Sequence, residues 1–153
     1  MVQVTGKYTR TKEAKYKDFL SKLGVGFLTR QAATASTPTM EITETNGKWK
    51  MVTSTTLKSI VLEFELVNNF YSEKYLNFHA QNYLQGVEFD EDTPDGRKCK
   101  TTVTKDGDTM ITMQKAQVKG QKDVKVIRKF TDAGIEVQMI CEDVVSDQFF
   151  ARN

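Results

Sequence analysis

YKDFLSKLGVGFLTR, residues Tyr16–Arg30, stands apart from the rest of the chain because its apolar residues follow a helical period. Tyr16, Phe19, Leu20 and Leu23 recur at i, i+3, i+4 and i+7, which sets them on one face of a helix. Lys17, Asp18, Ser21 and Lys22 take the other face. Gly24 supplies a stop, and Gly26 allows a tight reversal before Phe27, Leu28 and Thr29 resume. Ala32, Ala33 and Ala35 suit a second helix. Thr37–Pro38 ends it, because the residue before a proline is pushed toward extended geometry. The spacing therefore predicts a short helix–turn–helix.

On both sides of this pair the period is two. Val2, Val4 and Gly6 to Tyr8 read as a first strand. Thr39–Glu44 alternates Met40 and Ile42 against Glu41 and Thr43, and Asn46–Gly47 signals a type I′ hairpin. The return strand carries Trp49 and Met51. Ile60, Leu62, Phe64 and Leu66 alternate with Val61, Glu63 and Glu65. Val87 and Phe89 alternate with Glu88 and Asp90, and Thr93–Pro94–Asp95–Gly96 is a turn by composition. Cys99, Thr101 and Val103 share a face ahead of the Asp106–Gly107 hairpin. Further strands are expected at Thr109–Lys115, Lys122–Phe130, Ile135–Cys141 and Val145–Ala151. About ten strands at roughly 8–12-residue spacing, joined by short turns, favour an antiparallel up-and-down meander. Closing it into a barrel removes the exposed edges. Thr53, Thr55, Thr102 and Thr104 make strand faces too polar for a tightly filled small barrel, so a wide, partly wet interior is expected.

Composition bounds the function. The 153 residues fit one domain, with 27% charged and 39% hydrophobic side chains and a formal net charge of +2. Interspersed charges of both signs give no reason to propose nucleic acid. No run has signal-peptide character or spans a membrane. Cys99 and Cys141 read as two reduced, buried thiols rather than a disulfide. A cytoplasmic protein is expected.

Arg128 is the most informative single residue. Val124, Val126, Arg128 and Phe130 share one face of a predicted strand, and Lys125, Ile127 and Lys129 share the other. A buried guanidinium needs partners, because an unpaired buried charge is costly. Either a bulge turns Arg128 outward, or it anchors a carboxylate inside the cavity, a task suited to a planar fork of donors.

Four features together resemble the intracellular fatty-acid-binding proteins of the calycin superfamily, in an invertebrate-type form. They are LGVGFLTR at Leu23–Arg30, the Thr37–Pro38 junction, GVEFDEDTPDGRK at Gly86–Lys98, and Val126–Phe130 with the turn Thr131–Gly134. The resemblance implies a mainly β, ten-stranded antiparallel barrel (a β-clam), two helices capping its mouth, and one lipid inside. It places Arg128 at the family's interior arginine. It also implies that Tyr16, Phe19, Leu20, Val25, Ala33, Met40, Met51 and Leu57 meet the lipid tail, with Thr29, Pro38 and Thr53 as less apolar lining. Lys17 and Lys22 on the exposed helix face are expected either to be simply solvated or to meet anionic membrane surfaces during transfer. The last strand departs from the pattern. Where many fatty-acid carriers have Arg-x-Tyr, this chain has Gln148–Phe149–Phe150. The carboxylate then pairs with Arg128 alone, or the cargo is a less acidic lipid such as a retinoid. Retention of Arg128 favours a long-chain fatty acid.

Val67–Gln85, VNNFYSEKYLNFHAQNYLQ, interrupts the resemblance and holds three of the five tyrosines and the sole histidine. Without it, Phe64–Leu66 joins Gly86–Phe89 in an unbroken family pattern. A helix over Ser72 to Leu84 is one reading of it, with Tyr75, Leu76, His79 and Tyr83 partly on one side. The segment is either a true insertion into a single domain or a translated intron, since valine codons begin GT, one glutamine codon is CAG, and nineteen codons keep the frame. An enzyme is disfavoured. His79 is the lone candidate base, and neither metal-ligand spacing nor a phosphate-cradling glycine loop occurs. No cofactor is expected, and a monomer is.

Overall fold

In a computed structural model, residues 2–56, 58–67 and 83–153 are described. Strand β1 (Gly6–Ala14) leads into helices α1 (Tyr16–Lys22) and α2 (Phe27–Ala35). Then come β2 (Thr39–Thr45), β3 (Lys48–Ser54), β4 (Ser59–Val67), β5 (Tyr83–Gly86) and β6 (Phe89–Asp92). The chain finishes with β7 (Lys98–Asp106), β8 (Thr109–Ala116), β9 (Val124–Phe130), β10 (Gly134–Cys141) and β11 (Val144–Arg152).

The pairing is antiparallel throughout, and β1 pairs with β11 to join the two ends of the chain. β5 and β6 lie one after the other along β7, with Gln85 opposite Thr104 and Phe89 opposite Thr101. They are two halves of one broken strand, so the eleven segments make a closed ten-stranded barrel. The break falls at Val87 and Glu88. Val87 is 67% exposed while Phe89 packs against the core, so the expected continuous strand with both on one face is corrected. The cause lies at Gly86, where an added Cβ would come within 2.6 Å of the Val103 carbonyl oxygen and 3.2 Å of that of Glu65. Three strands crowd together there, and only a residue without a side chain fits.

β4 meets β5 through Leu66 opposite Gly86 and Val67 opposite Gln85. Among the described residues, Ser59–Glu65 pairs with β3 alone. Val67 and Gln85, the ends of the interrupting segment, are thus strand residues facing each other. Of the helix expected over Ser72 to Leu84, Tyr83 and Leu84 are strand instead, and the remainder, including His79, lies outside the described residues.

The hairpin at Asn46–Gly47 has both residues at positive φ, 53° and 81°, as a type I′ turn requires. β1 runs further than expected, to Ala14, with a bulge between Arg10 and Lys12. α1 buries Phe19 and Leu20, and Tyr16 and Leu23 pack at the edge of the same core. Lys22 ties α1 to the β10–β11 turn through Glu142 at 3.3 Å and Asp143 at 2.8 Å, so it is not simply solvated. α2 buries no residue fully and leaves Phe27 and Leu28 exposed. Cys99 and Cys141 are free and buried, and burial pushes both thiols up.

Candidate functional site

Beneath the helices lies a cavity of about 420 Å³. Helix α1 contributes Tyr16, Phe19 and Leu20, the turn contributes Val25, and α2 contributes Thr29 and Ala33. Pro38, Met40, Met51 and Thr53 line it from β2, β3 and the residue before β2, and Arg128, Gln148 and Phe150 from β9 and β11. Thirteen of the fourteen residues expected at a binding site therefore line one space. The fourteenth, Leu57, lies outside the described residues. A slot of this size, mostly apolar with a few convergent polar groups, has the general character of a small-molecule site.

Arg128 points inward with Val124 and Val126, as the strand period predicts. Protein encloses it, and the surface it keeps faces the cavity. Its Nη1 donates to Thr112 Oγ1 at 3.0 Å. Its Nε is buried without a hydrogen-bond partner among the described residues. Burial pulls the guanidinium pKa down to about 10, a drop opposed in part by the Glu91 carboxylate. At neutral pH the group stays charged. A buried, charged guanidinium with an orphaned donor beside a cavity is an unfavourable arrangement that an anion near it would relieve.

Gln148 lies in the same cross-strand row. Arg128 faces Val137, and Val137 faces Gln148. Two strand spacings put their Cα atoms about 10 Å apart. Gln148 Nε2 reaches Met139 Sδ at 3.6 Å, a weak acceptor, so most of its hydrogen-bonding capacity is unused. Phe150 faces Arg10 across the β1–β11 ladder.

Several interior residues escaped the sequence reading. Arg10 is 8% exposed and lines the cavity under the lid. Its Nη2 donates to the carbonyl of Ser36, the residue that ends α2, at 2.9 Å, and its guanidinium sits 5.2 Å from the Tyr16 ring centroid. A cation at a helix C-terminus satisfies an otherwise orphaned carbonyl. The available signal was parity, since Arg10 is two residues beyond the buried Tyr8. Glu91 shares the inner face of β6 with Phe89. Arg97, beyond the Pro94–Gly96 turn, is buried and held by Asp95 at 2.7 and 3.1 Å, by the Lys122 carbonyl at 3.0 Å and by Gln114 Oε1 at 2.9 Å. Burial pushes the Asp95 carboxyl up, but the Arg97 bonds outweigh it and hold the group below its ordinary value.

The interior charges can be counted among the described residues. Arg10, Arg97 and Arg128 face the cavity with Glu91 and Asp95. Asp95 is spoken for by Arg97, so three guanidiniums stand against two carboxylates and one positive charge is left over. Lys58 at the rim is exposed to solvent.

No protein-family model matches the chain. It is 34% identical over 152 residues to a fatty acid-binding protein of Tyrophagus putrescentiae, covering 99% of each. Fatty acid-binding protein homolog 5 of Caenorhabditis elegans is 31% identical over 150 residues, with 98% of this chain and 96% of the relative covered. Among solved structures, a Schistosoma mansoni fatty acid binding protein in complex with arachidonic acid superposes with a TM-score of 0.78 at 25% identity. That match covers 97% of this chain and 95% of the other.

Proposed function

This chain belongs to the fatty-acid-binding protein family, and from that premise we propose that it carries a long-chain fatty acid through the cytosol, with the carboxylate anchored by Arg128. It is a lipid-binding protein and not an enzyme. The observation that carries the anchor is the charged Arg128 side chain lining a cavity whose described residues leave one positive charge in excess, with Thr112 as its one hydrogen-bond partner among them. A carboxylate accepts from the fork of the guanidinium, and charge-assisted bonds of this kind are about twice as strong as neutral ones. The apolar lining from Tyr16, Phe19, Leu20, Val25, Ala33, Met40 and Met51 accepts the chain, with Thr29, Pro38 and Thr53 beside it. Methionines adapt to a flexible tail. Gln148 adds a neutral hydrogen-bonding group, and Phe150 an apolar surface.

The lid takes part in exchange. Phe27 and Leu28, 62% and 81% exposed on α2, are suited to brief contact with a membrane surface. Lys17, exposed on α1, favours anionic lipid, whereas Lys22 is occupied by Glu142 and Asp143. The carrier acts as a monomer.

We read residues 1–153 as one lipid-binding domain interrupted at 67–85. Leu66 and Gly86 are direct cross-strand partners, so their Cα atoms sit about 5 Å apart, close to the 3.8 Å of adjacent residues. Excision of the segment leaves ends that nearly meet. Transcript sequencing separates insertion from translated intron.

A neutral-headed cargo is the second reading, supported by Gln148 and Phe150, which bring neither charge nor hydroxyl to the head group. Titrating delipidated protein with a fluorescent fatty acid tests the carrier reading directly. Saturable binding displaced by oleate supports it, and absence of displacement overturns it. Displacement by the matching alcohol as effectively as by the acid transfers the case to the neutral cargo.

A further inference from the structure

The anchoring of one carboxylate leaves a second polar feature of the cavity unused. Glu91 lines the cavity, and both hydrogen bonds that reach its side chain go to one oxygen. Thr101 Oγ1 donates to Oε1 at 2.8 Å, and Gln114 Nε2 at 3.0 Å. Oε2 accepts none among the described residues. The arrangement is fixed from behind. Thr101 is fully buried, and Arg97 Nη2 holds Gln114 Oε1 at 2.9 Å, which turns the amide's donor end toward Glu91. The carboxylate is thus locked with one oxygen satisfied and the other left to whatever fills the cavity.

Two constraints identify the complement. A single anion already balances the interior charge, so a second carboxylate is disfavoured. Glu91, moreover, accepts hydrogen bonds and repels anions, so Oε2 calls for a neutral donor. Arg10 does not compete for the role, since it donates to Ser36 and stacks on Tyr16. The distance follows from β8. Thr112, which receives Arg128, and Gln114, which holds Glu91, are two residues apart on one strand face, about 7 Å. We propose that the cargo is a hydroxylated fatty acid whose carboxylate meets Arg128 and whose hydroxyl, in the half of the chain nearer the carboxylate, donates to Glu91 Oε2. This inference rests on the carrier reading above and specifies its ligand class.

The test compares three probes by displacement from delipidated protein: stearic acid, stearic acid hydroxylated in its carboxyl-proximal half, and stearic acid hydroxylated at the methyl end. The proximal hydroxyl is expected to tighten binding about tenfold, the worth of one hydrogen bond to a charged acceptor. The terminal hydroxyl is expected to bring no gain. In Glu91→Gln the proximal advantage falls to about threefold or less, as the acceptor becomes neutral. Stearic acid itself binds that variant more tightly, because a negative charge near its carboxylate is gone. A purely structural Glu91 would move neither ratio. Equal binding of all three acids to the unmodified protein overturns the proposal without needing the variant, and means that water satisfies Oε2. An advantage that survives Glu91→Gln also overturns it. Failure of every acid to bind, by contrast, sinks the carrier reading itself.

Discussion

Replacing Arg128 by methionine keeps most of the apolar stem of the side chain and removes its charged end. Among the described residues the guanidinium is bonded to Thr112 alone, so a bound carboxylate meets a cation with donors to spare. Hydrogen bonds to charged groups contribute about 1.5–3 kcal/mol each, and truncating one partner of a buried charged pair costs about 2–5 kcal/mol. A loss of about 3–4 kcal/mol for the acid corresponds to about 150-fold to nearly a thousandfold in affinity. The matching alcohol forfeits only a bond between a cation and a neutral oxygen, and it should weaken by about tenfold or less. The assay is displacement of a fluorescent fatty acid by oleate and by oleyl alcohol, repeated across pH. The sign of the pH effect follows from the depressed pKa of about 10. A basic group whose folded pKa is lowered keeps its proton below that value and sheds it above, while the unfolded chain still holds its own. The anchor is therefore intact at neutral pH, and oleate affinity should fall as pH rises past about 10 in the unmodified protein alone. Equal losses for acid and alcohol, or the same alkaline fall in Arg128→Met, would refute the charge anchor.

Three other outcomes are expected. Asp95→Asn strands a buried guanidinium and should cost about 3–5 kcal/mol in chemical denaturation at neutral pH. Because the Asp95 carboxyl is held below its ordinary value, that stabilisation is present above about pH 4 and lost as pH falls through the folded pKa, so the gap between variant and parent should close in acid. Arg10→Leu releases the Ser36 carbonyl. Hydrogen exchange across Phe27–Ala35 and the rate of ligand release should both rise about tenfold, while a lid that exchanges as before would deny Arg10 its latching role. Deleting residues 67–85 should leave cooperative unfolding and fatty-acid binding in place with lower stability, since Thr104–Asp106 lose their β5 partners; a chain that fails to fold speaks against a dispensable segment.

Legibility in the sequence tracked the regularity of the backbone. Where the ladder is unbroken, as in β2 to β4, β7 and β9, period two separated the strand faces, and Arg128 was recognisable as a cation among Val124, Val126 and Phe130. The helix pair was equally plain, because 3.6-residue spacing cannot be mistaken for alternation over Tyr16–Leu23. The misses lie where the backbone departs from the period. β1 was cut short because polar Arg10 and Lys12 resemble a loop, and the bulge between them hides their phase. Val87 misled because the contact at Gly86 interrupts the strand just before it, and alternation has no signature for backbone crowding. Glu91 was hidden by its chemistry, since a carboxylate turned into a lipid cavity contradicts the rule that reads strand faces.

The junction at Leu66 and Val67 bears on the order of assembly. Elsewhere around the barrel, consecutive strands are registered over four to eight facing residues, as in β6–β7 and β10–β11, whereas β4 and β5 share two. Pairing that is both short and dependent on a chain excursion gains little until its neighbours are in place. The protein is expected to form first as a curled ribbon zipped along β1 and β11, and to become a ring in the last step. The Leu66 amide is held by the Gly47 carbonyl on the β3 side, so alternation turns that of Val67 toward β5. The Val67 amide should then be among the earliest in the sheet to exchange, giving a clock for breathing that owes nothing to the helices.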